Sequence, residues 1–196
     1  MKEQIYEKVK DIEGNVIIKE YPTKSANTNT IRAHLDKLKQ QGIPIDMIIV
    51  DYGDLLKPLT APRGSEKRHD LESIYEELRA TAQIYECPLW TASQTNRSGL
   101  NAELITMEAV SESFNKCFVA DFIFSLSRTI TDKAKNRGKI FVAKNRNGKD
   151  GVPYPIKMDT SNIKLEVLES ELEESEKPDA KKQKEKINQY YKEFKK

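Results

Sequence analysis

Three short apolar runs in this chain end in polar residues that could handle a phosphate ester. Asp46-Met47-Ile48-Ile49-Val50-Asp51-Tyr52 is bounded by acids, Leu89-Trp90-Thr91-Ala92-Ser93-Gln94 ends on a carboxamide, and Phe141-Val142-Ala143-Lys144-Asn145-Arg146 ends on two cations. A carboxylate such as Asp51 can bind a divalent ion directly or through water. A carboxamide such as Gln94 can orient a water or sense a phosphate oxygen. The Lys144/Arg146 pair can offset negative charge that develops during phosphoryl transfer. Each of these is also what an ordinary strand end or polar loop start carries. What sets them apart is a shared position at the carboxyl end of an apolar run, where open α/β sheets keep their chemistry.

The elements that must position these residues follow from periodicity. The apolar residues from Met47 to Val50 read as a strand buried on both faces. Ile5, Val9 and Ile12 fall at helical intervals within Lys2 to Ile12, and Asn15 to Tyr21 is β-rich. After a polar connection, Ile31, Leu35 and Leu38 share one face of a helix that Thr28 or Thr30 is placed to cap, and Gly42-Ile43-Pro44 stops it. This spacing predicts a strand, helix, strand unit of a parallel sheet. Residues 58–69 read as an exposed loop whose cations Arg63, Lys67 and Arg68 either touch phosphate or are plain solvated surface. Leu71, Ile74, Leu78 and Ala82 predict an amphipathic helix from Asp70 to Glu86, feeding the run that ends at Gln94.

Thr95 to Lys116 is a polar stretch with a short helix expected at its end. Strands are predicted over Ala120–Leu126 and Lys139–Lys144, separated by a charged turn from Thr129 to Arg137. Asn145 to Gly151 is a hairpin turn into Val152–Ile156, where Pro153 and Pro155 suggest a sheet edge, and Ile163–Leu168 completes a ribbon. The expected fold class is therefore α/β, a mostly parallel sheet flanked by helices, with a C-terminal β-hairpin.

Composition sets the outer bounds. A chain of 196 residues can bury one sizeable core, expected over residues 1–168. Residues 169–196 turn to an acidic run (Glu169, Glu171, Glu173, Glu174, Glu176) and then a basic one (Lys181, Lys182, Lys184, Lys186), the composition of a solvated, partly helical tail. With 33 basic and 31 acidic residues the formal charge is +2, which neither demands nor excludes a polyanionic partner. Cys87 and Cys117 lack metal-site spacing with His34 or His69 and read as structural thiols of a reducing compartment. The start carries no apolar signal, and no window reaches the roughly 18 apolar residues of a membrane span. A cytoplasmic protein without a membrane partner is expected.

Taken in order, Lys19-Glu20-Tyr21-Pro22-Thr23, Ile48-Ile49-Val50-Asp51-Tyr52, Ser93-Gln94-Thr95-Asn96-Arg97 and Ala143-Lys144-Asn145-Arg146-Asn147-Gly148 form a specific set. With them the chain resembles the C-terminal portion of the RecA-like motor domain of DnaB-type replicative helicases, phage and prophage forms especially, from Asn15 to Leu168. The resemblance implies that Asp51 is the Walker B acid that orients magnesium. It implies that Gln94 is the sensor between nucleotide state and DNA-facing loops. Lys144 and Arg146 become the pair given across a ring interface to a neighbour's nucleotide, with Arg146 as arginine finger. Arg97, beside the sensor, and Glu112 fall in DNA-facing segments, with Arg63, Lys67 and Arg68 as further candidate nucleic-acid contacts. Ser111-Glu112-Ser113-Phe114 stands where the family has Arg-Glu-Ser-Gly, which removes a cation and a flexible glycine.

One family motif is missing from these residues. None of Gly14, Gly42, Gly53, Gly64, Gly99, Gly138, Gly148 and Gly151 opens a G-x-x-x-x-G-K-[ST] phosphate loop. The upstream strand that presents the family's water-activating glutamate is missing too. The chain by itself is therefore expected to bind ATP weakly and to hydrolyse it poorly. ATP and magnesium become its cofactors only if a partner bearing the phosphate loop completes the site. The expected function is a fragment or split product of an ATP-dependent replicative helicase, partnered by helicase subunits or an N-terminal half and by single-stranded DNA. The alternatives are a non-catalytic DNA-binding or ring-assembly module, and a decayed prophage remnant.

Overall fold

The computed structural model describes residues 14–60, 67–96, 99, 102–109 and 115–168. The expected helix over Lys2–Ile12, the tail from Glu169, and the candidate residues Arg63, Arg97 and Glu112 lie outside the described residues. Two parallel strands, β1 (Ile48–Val50) and β2 (Leu89–Thr91), pair in the register Ile48 with Leu89, Ile49 with Trp90 and Val50 with Thr91. Helices α1 (Thr28–Gln40) and α2 (Lys67–Tyr85) pack on one face of the pair. The helix-flanked α/β fold class is as expected, but the strand, helix, strand unit is β1–α2–β2 and not the predicted one that began at Asn15–Tyr21.

Strand alternation decides which side is covered. Ile48, Val50 and Leu89 turn toward the helices, where Leu35, Tyr85 and Cys87 form one buried cluster and Leu71, Ile74 and Leu78 form another. Ile49 and Trp90 point the opposite way and stay 71% and 40% exposed. The two helices are also tied to each other by polar groups. Arg32 Nε donates to Thr81 Oγ1 at 2.9 Å, and the Tyr85 hydroxyl donates to Asp36 Oδ1 at 2.6 Å. Burial and the Asp36 carboxylate push the Tyr85 phenol up to about 12.

The chain then passes through the short helix α3 (Asn115–Val119) into an antiparallel sheet in simple order: β3 (Phe122–Ser127), β4 (Arg137–Asn145), β5 (Val152–Asp159) and β6 (Lys164–Val167). The predicted hairpin and terminal ribbon are both present. Ile156, fully buried, and Val142 anchor its inner side. Among the described residues no helix is long and apolar enough to cross a membrane.

Several local expectations are corrected. Asn15–Tyr21 has strand composition but forms no ladder; it lies along a groove of about 620 Å³ beside β1, with Val16 and Ile18 almost fully exposed. β-propensity is realised only when a partner strand takes up the backbone groups. Asn27 caps α1, not Thr28 or Thr30. Its side chain accepts the Thr30 N–H at 3.0 Å while Thr30 Oγ1 reaches back to the Asn27 backbone, and Thr28 is buried against Glu77. Lys67 and Arg68, read as loop cations, open α2, where Arg68 is exposed.

The charged turn at 129–137 holds a helix, α4 (Ile130–Ala134), because Thr129 and Asp132 form a capping box, and that bonding lowers the Asp132 pKa. β5 lies between β4 and β6 rather than at the edge. Its two prolines avoid conflict because β6 pairs only with Ile156 to Asp159, beyond them.

Two outcomes test this packing. In urea unfolding, Ile74→Ala should cost about 2–5 kcal/mol, as large-to-small changes in a core do, and Ile49→Ala should stay within about 0.5 kcal/mol. A phenol whose pKa is raised on folding contributes stability that is intact below the unfolded value, near 10, and is lost as pH rises through about 12. Tyr85→Phe should therefore flatten the fall in urea midpoint across that window.

Candidate functional site

Parallel pairing brings two of the three polar strand ends to one edge. Because Val50 sits opposite Thr91, Asp51 and the Ser93-Gln94 dipeptide leave the pair on the same side. Gln94 Nε2 donates to the Tyr52 hydroxyl at 2.9 Å, so the residue after the acid is bonded directly to the carboxamide. The Asp51–Tyr52 peptide is cis. Asp51 itself is exposed, and its carboxylate takes no hydrogen bond or ion pair among the described residues.

The chain after Tyr52 is folded back tightly. Gly53 N–H donates to Thr91 Oγ1 at 2.9 Å, and Thr91 Oγ1 donates in turn to the Val50 carbonyl at 2.9 Å. A Cβ at Gly53 would stand 3.2 Å from Leu78 Cδ1 and 3.3 Å from Tyr75 Cε2, so the approach of backbone to α2 suits glycine. The turn Gly53–Leu55 delivers Asp54 into a polar cluster. Lys116 Nζ contacts both Asp54 oxygens at 3.1 Å, the Tyr75 hydroxyl donates to Oδ1 at 2.8 Å, and Ser93 Oγ donates to Oδ2 at 3.1 Å. The Lys116 ammonium also lies 5.4 Å from the Tyr75 ring centre.

The Lys116 side chain is 2% exposed and that of Asp54 17%, so this is a largely buried pair, with Tyr75 and Ser93 as the carboxylate's other donors. Burial first, and then the Asp54 charge, raise the Tyr75 pKa, which keeps the phenol a donor. One carboxylate thereby ties the turn after β1 to α2, to the end of β2 and to α3.

Lys144 and Arg146 gather elsewhere. Lys144 Nζ donates to the Cys117 and Phe118 carbonyls at 2.8 and 3.1 Å, and Arg146 reaches the Phe118 carbonyl at 3.0 Å and Asp121 Oδ1 at 3.0 Å. Burial, then the Arg146 charge, lower the Lys144 pKa. No described hydrogen bond or ion pair joins this group to Asp51 or Gln94. The structure thus assembles two clusters, each pairing residues expected to act together. Cys87 and Cys117 are free and buried, and burial raises both thiols, as suits structural thiols.

Asp54, Tyr75, Ser93, Lys116, Arg79 and Asp121 were missed in the sequence. The signal for Lys116 was a lysine set in the apolar run Cys117-Phe118-Val119; the signal for Asp121 was an acid opening a strand.

The donor set at the Asp51 end suits magnesium, which takes hard oxygens, commonly one or two carboxylates with waters and phosphates supplying the rest. Among the described residues no group of three or more His, Cys, Asp or Glu side chains could hold a metal as an all-protein cage. Asp51 would be the single carboxylate, since Asp54 is committed to Lys116.

Comparison with known proteins bears on the family and the fold. The family model for the DnaB-like helicase C terminal domain matches residues 2–163. A DnaB-like replicative helicase of Enterobacteria phage T4 is 35% identical over 138 residues, which is 69% of this chain and 29% of that protein. Among solved structures, an ATPase domain superposes with a TM-score of 0.64 at 20% identity, covering 73% of this chain and 52% of that one. A DnaB-like replicative helicase, described with its interactions with primase, gives 0.59 at 20% identity over 69% and 34% of the two chains. These structures share the fold, and this chain spans about half or less of each relative.

Breaking the buried pair is the direct test of the cluster. Lys116→Met leaves Asp54 buried without its cation and should cost about 3–5 kcal/mol in urea unfolding. Adding Asp54→Asn should recover most of that loss.

Proposed function

This chain belongs to the DnaB-like helicase C-terminal domain family, and on that premise we propose that it supplies one part of the ATPase site of a replicative DNA helicase ring. The observation that carries the reading is the parallel register of β1 and β2, which brings the strand ends bearing Asp51 and Gln94 to one edge, with Gln94 bonded to Tyr52, the residue after Asp51. In this reading Asp51 is the Walker B acid, its open carboxylate available to a hydrated divalent ion. Gln94 is the sensor. A nucleotide phosphate that competes for its carboxamide breaks the bond to Tyr52, so nucleotide state reaches the turn built on Asp54.

Bound magnesium nucleotide supplies the phosphoryl group and the charge that the metal offsets. Lys144 and Arg146 serve a neighbour's nucleotide, which agrees with their separation from Asp51 within one chain. The phosphate cradle comes from outside residues 1–196, either from a polypeptide continuous with them or from a partner.

A second reading, a non-catalytic ring-assembly or DNA-binding module, draws on one observation. The face opposite the helices is apolar and open: Ile49 is exposed, and Trp90 packs edge-on against Phe122 and Phe124 at 6.0 and 5.9 Å between ring centres. At the edge of this face a groove of about 510 Å³ runs along β2, between α2 residues such as Leu78 and Ala82 and Phe122. Helicase subunits are the proposed partners for this face, and single-stranded DNA is the proposed nucleic-acid partner.

Hydrolysis of Mg-ATP separates the two readings. The chain alone should turn over at background. Mixed with a helicase polypeptide that carries the phosphate loop, it should raise the rate by about two orders of magnitude or more, the scale of lost positioning and charge stabilisation. Asp51→Asn should remove the gain. A mixture that stays at background, or a gain indifferent to Asp51→Asn, would leave only the assembly role.

A further inference from the structure

Two arginines converge on a single carboxylate at the open end of α3, and Lys144 is seated on the helix carbonyls beside them. Arg146 and Arg79 share Asp121 Oδ1, at 3.0 and 2.9 Å. Arg79 also donates to the Val119 carbonyl, Arg146 to that of Phe118, and Lys144 to those of Cys117 and Phe118. The Arg146 backbone N–H donates to the Asp121 carbonyl at 3.0 Å. The last carbonyls of a helix carry partial negative charge, so each cation has a reasonable seat there. The two arginines share one carboxylate, whose side chain is 57% exposed.

We propose that Asp121 is a stand-in anion that stores Arg146 against the end of α3, and that an incoming phosphate oxyanion displaces it. The inference rests on the reading of Arg146 as a phosphate-contacting finger and assigns Asp121 as its positioning residue. Arg79 makes the exchange inexpensive. When Arg146 leaves, Asp121 keeps one guanidinium and is not left unpaired. Arg146 and Arg79 border a shallow groove of about 430 Å³ in which Glu72 and Glu76 line the α2 wall.

The test follows the side-chain Nε–H resonances of Arg146 and Arg79 in the full chain by NMR during titration with inorganic tripolyphosphate at low salt. Asp121→Asn should bind it about tenfold more tightly, the scale of one lost charge-assisted bond, and Arg146 should already be shifted and sharpened before anion is added. Asp121→Glu, which keeps the charge, should behave as the unmodified chain. Glu76→Gln removes a nearby charge without touching Arg146 and should change affinity less than about twofold.

If Asp121→Asn binds no more tightly, or Glu76→Gln gains as much, the storage role is wrong, whereas a loss of binding in Arg146→Ala would still support the finger. If Arg146→Ala leaves binding unchanged in both backgrounds, the finger reading fails and the storage role with it. Should Asp121→Asn not fold, Asp121→Ser read against Asp121→Glu decides the same question.

Discussion

The placement of Asp51 and Gln94 at one edge depends on three residue pairs between two parallel strands. Parallel ladders are slightly weaker per residue than antiparallel ones and cannot close through a tight turn, so β1 and β2 are held by what lies around them. The helices α1 and α2 supply apolar cover on one face, and α2 is itself the crossover between the strands. Asp54 supplies the polar tie, with Lys116, Tyr75 and Ser93 as its partners.

The molecule is therefore divided in a way that suits a shared site. The Asp51 and Gln94 end belongs to the parallel pair, while Lys144 and Arg146 belong to the far end of β4 and to the carbonyls of α3. α3 is the element common to both. Its Lys116 reaches Asp54 on one side, and its last carbonyls seat Lys144 and Arg146 on the other. A five-residue helix in that position makes direct contacts with the Asp54 turn and with the Lys144/Arg146 cluster.

Much of this was legible in the sequence because the informative patterns were local. An apolar β-branched run closed by an acid gave β1 and Asp51; a carboxamide closing the next run gave Gln94; the Lys-Asn-Arg end of an amphiphilic strand gave the second cluster. What escaped notice depends on contacts between distant residues. Lys116 and Asp54 are 62 positions apart, and nothing in the flanks of either announces the other. Arg79 and Asp121 are 42 apart.

The stretch Asn15–Tyr21 failed in the opposite sense. Its composition favours a strand, yet a strand is a relation between two backbones, and no second backbone pairs with it among the described residues. The prolines of β5 were misread for a related reason. Their cost depends on which residues the neighbouring strand pairs with, and β6 begins its pairing one residue past Pro155.

The central claim is that the β1–β2 edge with Gln94 is an unfinished nucleotide site, completed by a polypeptide bearing the phosphate loop. Hydrogen exchange on the chain with and without such a polypeptide and a non-hydrolysable Mg-nucleotide measures this most directly. The account predicts new protection at Leu89 to Gln94 and at Phe122 to Phe124, with little change in β5 and β6. Unchanged exchange at Leu89 to Gln94, or protection confined to β5 and β6, would contradict it.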